Sequence, residues 1–546
     1  MTLGKRNLAG FIPNIKDHGL GATMGTGGRC GFAGVSKGGT AAQFYEFKSA
    51  ADMLTALQRG PAVEQLLDLF EDGYDPLEPA LSVKSVVYRE IDCEANVGTA
   101  TNPVNSGEGT ATAITEDSGA AEPFLTRSYA IKVTVPGGTG TARYKICRNY
   151  DVVDPAHQVW SDEYKFVVTT DGPPIKSRIY VEDVVSGTYI EFAEVDPEED
   201  FLVGDVWTWQ SSTAAPASAK VLAALTALAQ WRDEGGNGIG GTGDITLIGC
   251  DRQFGDADDW IDVHQIATDE WDDNIHPVQM VISVGGPTKS GTPPTYQIDT
   301  WLAGVVADAE DYRTVQIPTN SLLNGALCLS AVYVLRPTTD GSQVRHQCGA
   351  ILGQKVRARW HWDIGWVERF GFRGASAVYP WNSVIDNMSI KPNESVEENR
   401  TATLNTDGHF LVAWPRAGFI RKVVTDTDWA MADNTSDYFK APYYRVVGGI
   451  HVELRNWFAT IAREPGISSN DAAALEAEIN GSILAPRVVD PDKPKDAIPK
   501  PFNAAHISVW AEDDVLVTEE LDYSLAIVPV GSKHQLAGYT QLRRSL

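Results

Sequence analysis

The chain has 546 residues, 43% hydrophobic and 21% charged, with a formal net charge of −27. Domains usually run to about 100–200 residues, so three or four are expected, and the composition is that of an ordinary globular protein. The acidity repels phosphate backbones and anionic lipid, which argues against direct nucleic-acid binding and against a membrane surface as partner.

Fifty glycines, 29 prolines and 15 tryptophans favour a β-rich protein with many turns. Cys30, Cys93, Cys147, Cys250, Cys328 and Cys348 are scattered, with no CxxC pair. Free, buried thiols in a reducing compartment are expected, with no zinc site. Lys5 and Arg6 are followed by no apolar run, and no segment approaches the ~18 apolar residues of a membrane helix. The expectation is a soluble chain without Sec export.

Residues 1–20 read as an arm: Phe11-Ile12-Pro13-Asn14-Ile15 is short and extended, and Asp17-His18-Gly19 is a turn. The first part of a core domain spans 21–91. It opens with a Gly-rich stretch holding the apolar strand Cys30–Val35. Helices follow at Ser49–Arg59 (Met53, Leu54, Leu57 on one face) and Ala62–Asp72 (Val63, Leu66, Leu67, Phe70), then a strand at Val83–Ile91. Residues 92–127, rich in Gly, Ala, Thr, Ser and Asn, read as a linker or exposed loop.

From 128 to 215 the pattern has period two. Strands are expected at Tyr129–Val135, Arg143–Arg148, Tyr164–Thr169, Tyr189–Phe192 and Val206–Gln210, with Gly-containing turns between them, as in a β-sandwich-like module.

The span 216–484 reads as the second part of an α/β core, since strands alternate with helices. A helix at Ser218–Asp233 precedes strand Ile245–Gly249, an acidic helix-like stretch 256–270, strand Val278–Val284 and helix Thr300–Ala309. Strands Val315–Ile317 and Ala331–Val334, the aromatic run Gln354–Phe372, and strands His409–Ala413 and Gly418–Val424 come next, then helices Tyr443–Ala462 and Asp471–Asn480. Residues 485–502 carry five prolines and read as a stiff extended linker. The final 503–546 hold strands at Ala505–Trp510 and Tyr523–Val530.

Catalytic readings find little support. Gly27-Gly28 are followed by Arg29-Cys30, not by the Lys and Ser/Thr of a phosphate loop, and Gly285–Ser290 is broken by Pro287. Asp256, Asp258, Asp259, Asp262, Asp269, Glu270, Asp272 and Asp273 lack the register of a calcium loop and read as a solvated helix face. No HExxH occurs, and no nucleophile elbow is expected. The run Trp360–Phe370 reads as core or interface rather than a stacking platform. No catalytic residue, cofactor site or metal site is assigned.

A strand set apart by a Pro-rich tether has backbone donors and acceptors that a neighbour's sheet edge can satisfy. Phe11, Ile12 and Ile15 at one end, and Leu525, Ile527, Val528 and Val530 at the other, are the candidate intersubunit arms. Head-to-tail exchange that does not close a ring makes a helix.

With these features the chain resembles contractile phage tail sheath proteins. The resemblance is carried by Ile15–Gly21 with Cys30–Val35 and Gly38-Gly39-Thr40, by Tyr129–Val135 with Gly137–Gly140, and by Gly204–Trp209 and the helix after it. It continues through Phe419–Thr425, Ser436-Asp437-Tyr438, Tyr443–Val447 and Ile527-Val528-Pro529-Val530. It covers most of the chain by segment order, and 92–125 and 340–400 depart from it.

The resemblance implies an α+β multi-domain protein: an α/β core built from N- and C-terminal segments, an inserted β-sandwich-like module, and extended terminal β-arms. It implies a non-enzymatic subunit that polymerises with itself into a helix of hexameric rings around a tail tube protein, meets baseplate and tail terminator proteins, and contracts to drive the tube through the host envelope. The protein would be assembled in the host cytoplasm and reside in the virion's tail. Two other readings stay open: another virion structural protein of the baseplate or tube, and a multi-domain carbohydrate-binding or carbohydrate-active protein.

Overall fold

The computed structural model describes residues 28–93, 99–116, 127–148, 150, 158, 160–170, 175–180, 189–194, 200–212, 216–231, 245–274, 276–290, 295–316, 322–338, 341–359, 361–366, 369–374, 377–379, 403–416, 422–425, 427–432, 436–461, 471–488, 501–510 and 522–529. Helices and several sheets are mixed along the chain. The first core elements are β1 (Arg29–Gly34), β2 (Phe44–Phe47), α1 (Ala50–Leu57), α2 (Pro61–Asp72) and β3 (Ser85–Glu90).

β1 lies near the middle of a six-stranded sheet, parallel to β3 on one side and to a later strand on the other. Strands covered on both faces have no polar side to show, so β1 reads as a run of small and apolar residues. Its glycines are needed for close approach. A Cβ on Gly31 would lie 3.2 Å from Leu228 on one face, and one on Gly34 would lie 2.6 Å from the Cβ of Ala62 on the other.

The chain then forms β4 (Thr99–Ala100), β5 (Val104–Asn105), β6 (Thr112–Glu116), β7 (Arg127–Val135), β8 (Arg143–Cys147), β9 (Tyr164–Lys165), β10 (Val168–Thr170), β11 (Lys176–Tyr180), β12 (Tyr189–Ala193) and β13 (Val206–Ser212). One sheet runs β4-β13-β7-β8-β9 with β5 also on β13; the other runs β10-β11-β12-β6. Between them lies a separate aromatic core. Phe166 stacks on Phe201 at 4.1 Å, Tyr129 on Trp209 at 5.2 Å, and Trp207 meets Phe192 edge-on at 5.5 Å. Residues 92–127, read as a linker, therefore contribute strands: Thr112–Glu116 pairs with Tyr189–Ala193. Only Ala111 and Ala113 turn toward the core there, and residues this small leave almost no hydrophobic signal.

α3 (Ser218–Ala229) returns to the first sheet, followed by β14 (Leu247–Phe254), α4 (Ala257–Asn274), β15 (Gln279–Val284), β16 (Lys289–Ser290), β17 (Thr295–Tyr296), α5 (Ile298–Gln316) and β18 (Leu327–Ser330). The sheet order is β18-β15-β14-β1-β3-β2, parallel except for β2. Where a strand was expected at Val315–Ile317, Val315 and Gln316 end α5, and Ile317 lies outside the described residues. Val305, Ala309 and Tyr312 are buried at helical spacing, and Val315 continues that helix on its 69% exposed side.

β19 (Tyr333–Thr338), β20 (Gly341–His346) and β21 (Ala377–Tyr379) form a small sheet, and α6 (Cys348–Arg357) packs beside α2. A Cβ on Gly349 would sit 2.0 Å from the carbonyl of Gln65 and one on Gly353 2.4 Å from that of Leu69, so these glycines let the two helix backbones touch. β22 (Ala413–Arg416) and β23 (Lys422–Thr425) make a hairpin. The long helix Ala441–Ile461, the helix Asp471–Glu478, and β24 (Phe502–Trp510) with β25 (Asp522–Pro529) share a third core of Val446, Ile450, Leu454, Ile479, Leu484, Phe502 and Ile507. The extended linker expected from 485 instead begins with a helical turn, Ala485–Arg487, and Val488 bridges Phe502; residues 489–500 lie outside the described set.

Candidate assembly interface

β24 and β25 form a two-stranded antiparallel ribbon whose two outer edges differ. Ile507 is opposite Leu525. Its N–H donates to Asn480 Oδ1 (2.9 Å) and its carbonyl accepts from Asn480 Nδ2 (2.8 Å), while Val509 N–H donates to Glu476 (3.0 Å). Both backbone groups of Ile507 thus point away from β25, and in an antiparallel ladder those of its partner Leu525 point outward on the far side. The same parity applies to Ile527 and Tyr523. The outer edge of β24 is closed by side chains that imitate a strand. Among the described residues no strand pairs with the outer edge of β25.

The C-terminal arm residues are therefore placed as follows. Leu525 and Ile527 are half-buried against the third core, and Val528 is 53% exposed. This strand is paired within its own chain along one edge, where a wholly unpaired arm was expected. Phe11, Ile12, Ile15 and Val530 lie outside the described residues. Asn480 and Glu476, which decide which edge is open, were not singled out by sequence. Asn480-Gly481 looks like an ordinary helix end, and no local pattern announces a partner 27 residues away.

Two buried charge systems tie distant segments to this frame. On α2, Glu64, Asp68 and Asp72 follow one another at four-residue spacing and are all buried. Asp68 accepts both ends of the Arg345 fork (2.8 and 2.7 Å), and Arg336, 1% exposed, contacts Asp72 (2.7 Å), Glu71 (3.1 Å) and Asp68 (3.3 Å). Burial alone would lower Arg336, but Asp68 and Asp72 outweigh it and hold the guanidinium charged. Beyond α2, Asp75 and Glu78 bind Arg369 at 3.0 and 2.9 Å. In the second system Asp428 bonds Lys355 and Arg445 (3.0 Å), and Arg445 also donates to the carbonyls of Trp362 (2.7 Å) and Lys355 (3.2 Å).

Open α/β sheets usually take ligands in the crevice beyond the carboxyl ends of their strands. Here that place is filled by the chain itself. The loop after β1 folds over Glu90, which accepts Ser36 N–H (2.8 Å), the Ser36 hydroxyl (2.7 Å) and the Tyr88 hydroxyl (2.7 Å). A Cβ on Gly39 would lie 1.8 Å from the Glu90 carboxylate. Val35 N–H donates to Asp251 (2.9 Å), and His346 bridges Ser283 (3.0 Å) and the Asp251 carbonyl (3.2 Å).

Burial pushes Glu90 up to about 7, against the lowering effect of its hydrogen bonds. A carboxyl raised in the fold contributes stability that is present below its unfolded value near 4.5 and is lost as pH rises through 7. The neutral histidines His264, His346, His361 and His451, each lowered to about 4 chiefly by burial, act in the opposite sense below about 6.5. Comparison with Glu90→Gln isolates the carboxyl. Relative to wild type, the variant should be more stable at pH 8 than at pH 5.5 by about 2 kcal/mol, read from urea denaturation at the two pH values. A difference that does not vary with pH would show that Glu90 is hydrated.

The motifs weighed for chemistry have structural roles. Gly28 turns into β1, where Arg29 pairs with Glu46 at 2.9 Å. Gly285 accepts the indole N–H of Trp301 (2.6 Å), and Lys289-Ser290 pairs with Thr295-Tyr296. Asp256, Asp258, Asp262, Asp269, Asp272 and Asp273 are exposed at or along α4, while Glu270 is buried beside His276. Trp362 is 6% exposed between the guanidiniums of Arg359 and Arg369, at 5.1 and 4.9 Å, so its faces are already covered; Trp360 lies outside the described residues. All six cysteines are buried. Among the described residues no helix is long and apolar enough to cross a membrane, and no cluster of acidic, His or Cys side chains is arranged to hold a metal.

No protein-family model and no curated protein sequence matches the chain. Solved structures do. A sheath tail protein from Listeria innocua is 12% identical over 92% of this chain and 94% of its own, with a TM-score of 0.42. The helical sheath of the anti-feeding prophage in its contracted state is 12% identical over 61% of this chain and 84% of its own, with a TM-score of 0.35. The contracted sheath complex of an extracellular contractile injection system is 10% identical over 60% and 81%, again at 0.35.

Proposed function

We propose that this chain is a non-enzymatic sheath subunit that polymerises helically, as stacked hexameric rings, around a tail tube and contracts to drive the tube through a host envelope. The observation that carries the reading is the ribbon with one closed and one open edge. An open β edge in a well-ordered domain is a template for one more strand, and closing the other edge limits addition to one place. The segment Phe11–Ile15 of another copy is the strand assigned to it. Donation from one copy to the next is a head-to-tail contact, which builds a helix when it does not close.

The accompanying domain reading is an α/β core from 21–91 and 216–484, with 128–215 inserted and the terminal segments as links. The self-filled crevice over Glu90 supports a structural role, since a site for a small substrate needs room there. Partners in this reading are other copies, a tube protein, a baseplate and a terminator, in the tail of a virion or a related particle. Contraction draws on packing energy stored at assembly, so no nucleotide is required.

The test is electron microscopy of the purified protein with an Ile527→Pro variant. The Ile527 N–H points away from β24, so proline there leaves the ribbon's own ladder intact and removes a donor that only an added strand would use. Loss of a half-buried side chain costs about 1 kcal/mol. Wild type should form tubes with a lumen, and the variant should remain a folded, unpolymerised subunit. Tubes formed equally well by Ile527→Pro would sink the edge assignment; absence of any polymer from wild type would sink the sheath reading.

A further inference from the structure

The loop after α2, and the segment 361–366 linked to it through Arg369, carry large apolar side chains that stay exposed although both are firmly held. Tyr74 is 48%, Leu77 71% and Trp366 43% exposed. Leu77 and Glu78 N–H groups both donate to Asp75 (2.9 and 3.1 Å), and Asp75 N–H donates to the Ser82 hydroxyl (2.8 Å). Arg369, paired with Asp75 and Glu78, donates its own N–H to the Trp366 carbonyl (3.0 Å). The Trp366 ring meets Trp362 edge-on at 5.4 Å, and Arg373 lies over Tyr74 at 5.5 Å. Covering a patch that is already ordered costs little further entropy, which is the property of a docking anchor.

What could cover it is indicated by where the chain enters. Gly28, the first described residue, accepts a hydrogen bond from Lys84 N–H (2.7 Å), and a Cβ on it would lie 3.0 Å from the Ser82 carbonyl. Ser82 is the residue that holds Asp75. The described chain therefore begins, at Gly28, beside the loop bearing Tyr74 and Leu77. The stretch 16–27 contains Gly19, Gly21, Gly25 and Gly27 and can span up to about 40 Å, with the apolar Phe11-Ile12-Pro13-Asn14-Ile15 at its far end. A tether of this length gives an effective concentration on the order of millimolar, above that of any other copy in dilute solution.

The geometry points to the Tyr74–Leu77–Trp366 surface as the seat of this chain's own segment Phe11–Ile15 in the unassembled subunit. Occupied in cis, the seat keeps the segment from the open edge of another copy until assembly draws it away. This last step rests on the sheath reading; the seat itself does not.

Disulfide trapping tests it, because the six native cysteines are buried. In the monomer, Ile12→Cys with Leu77→Cys should form an intrachain disulfide at least ten-fold faster than Ile12→Cys with Val203→Cys, whose second site is 65% exposed in the β-module. The rate should not depend on protein concentration. Independently, Leu77→Asp with Trp366→Asp should speed tryptic cleavage after Lys16 at least five-fold. Equal trapping at both sites, interchain products only, or unchanged cleavage would each overturn the seat. Trapping in a protein that never polymerises would keep the seat and remove the sheath reading; tubes without trapping would do the reverse.

Discussion

Arg336→Ala should destabilise the protein by about 3–5 kcal/mol at pH 8, the usual cost of removing one partner from a buried ion pair. The guanidinium is 1% exposed and sits against Asp72, Asp68 and Glu71, with Gln347 as a further acceptor at 3.1 Å. Without it, Asp68 and Asp72 remain buried with less compensation. Burial already pushes Asp72 up to about 6, with Arg336 the largest influence pulling it down, so deleting Arg336 raises it further. A raised carboxyl regains stability as pH falls through its folded value. The deficit should therefore shrink between pH 8 and pH 5, as read from urea unfolding at each pH. A loss below 1 kcal/mol that is independent of pH would mean that water reaches the seam.

Asp428→Ala should cost a similar 3–5 kcal/mol for the opposite reason, since it strands two cations. Lys355 and Asp428 are both essentially without solvent exposure, and Arg445 is held by the same carboxylate. The triad joins α6 to the long helix Ala441–Ile461, so its loss loosens the third core from the sheet that holds β1. The double variant Lys355→Met/Asp428→Leu should recover a good part of the loss. It replaces one buried pair by apolar groups and leaves Arg445 its bonds to the carbonyls of Trp362 and Lys355. A double-mutant coupling near zero in thermal or chemical unfolding would show that Lys355 and Asp428 do not act as a pair.

Much of the local structure was legible in the chain. Apolar residues at helical spacing place α1, α3 and the long helix Ala441–Ile461 within a few residues of their bounds, and alternation places β7, β12 and β13. The reading of α2 was half complete. Its apolar stripe is legible, yet Glu64, Asp68 and Asp72, outside that stripe, are buried as well. Their four-residue spacing was visible, but nothing local says that Arg336 and Arg345, more than 260 residues away, will meet them. The same limit hid β6, whose small residues give no pattern until β12 lies beside it.

Periodicity and turn chemistry thus indicated most of the helices and strands, and the terminal segments stand as the proposed links between copies. Those properties depend on neighbours within a few residues. Only the tertiary structure decided that β25 is already half satisfied by its own chain, that Asn480 and Glu476 close one edge of the ribbon while the other has no partner strand among the described residues, and that six acids from α2 and its following loop meet arginines from much later in the sequence. Such pairings are set by backbone direction and by which groups lose water together, and both come into being only when distant segments pack.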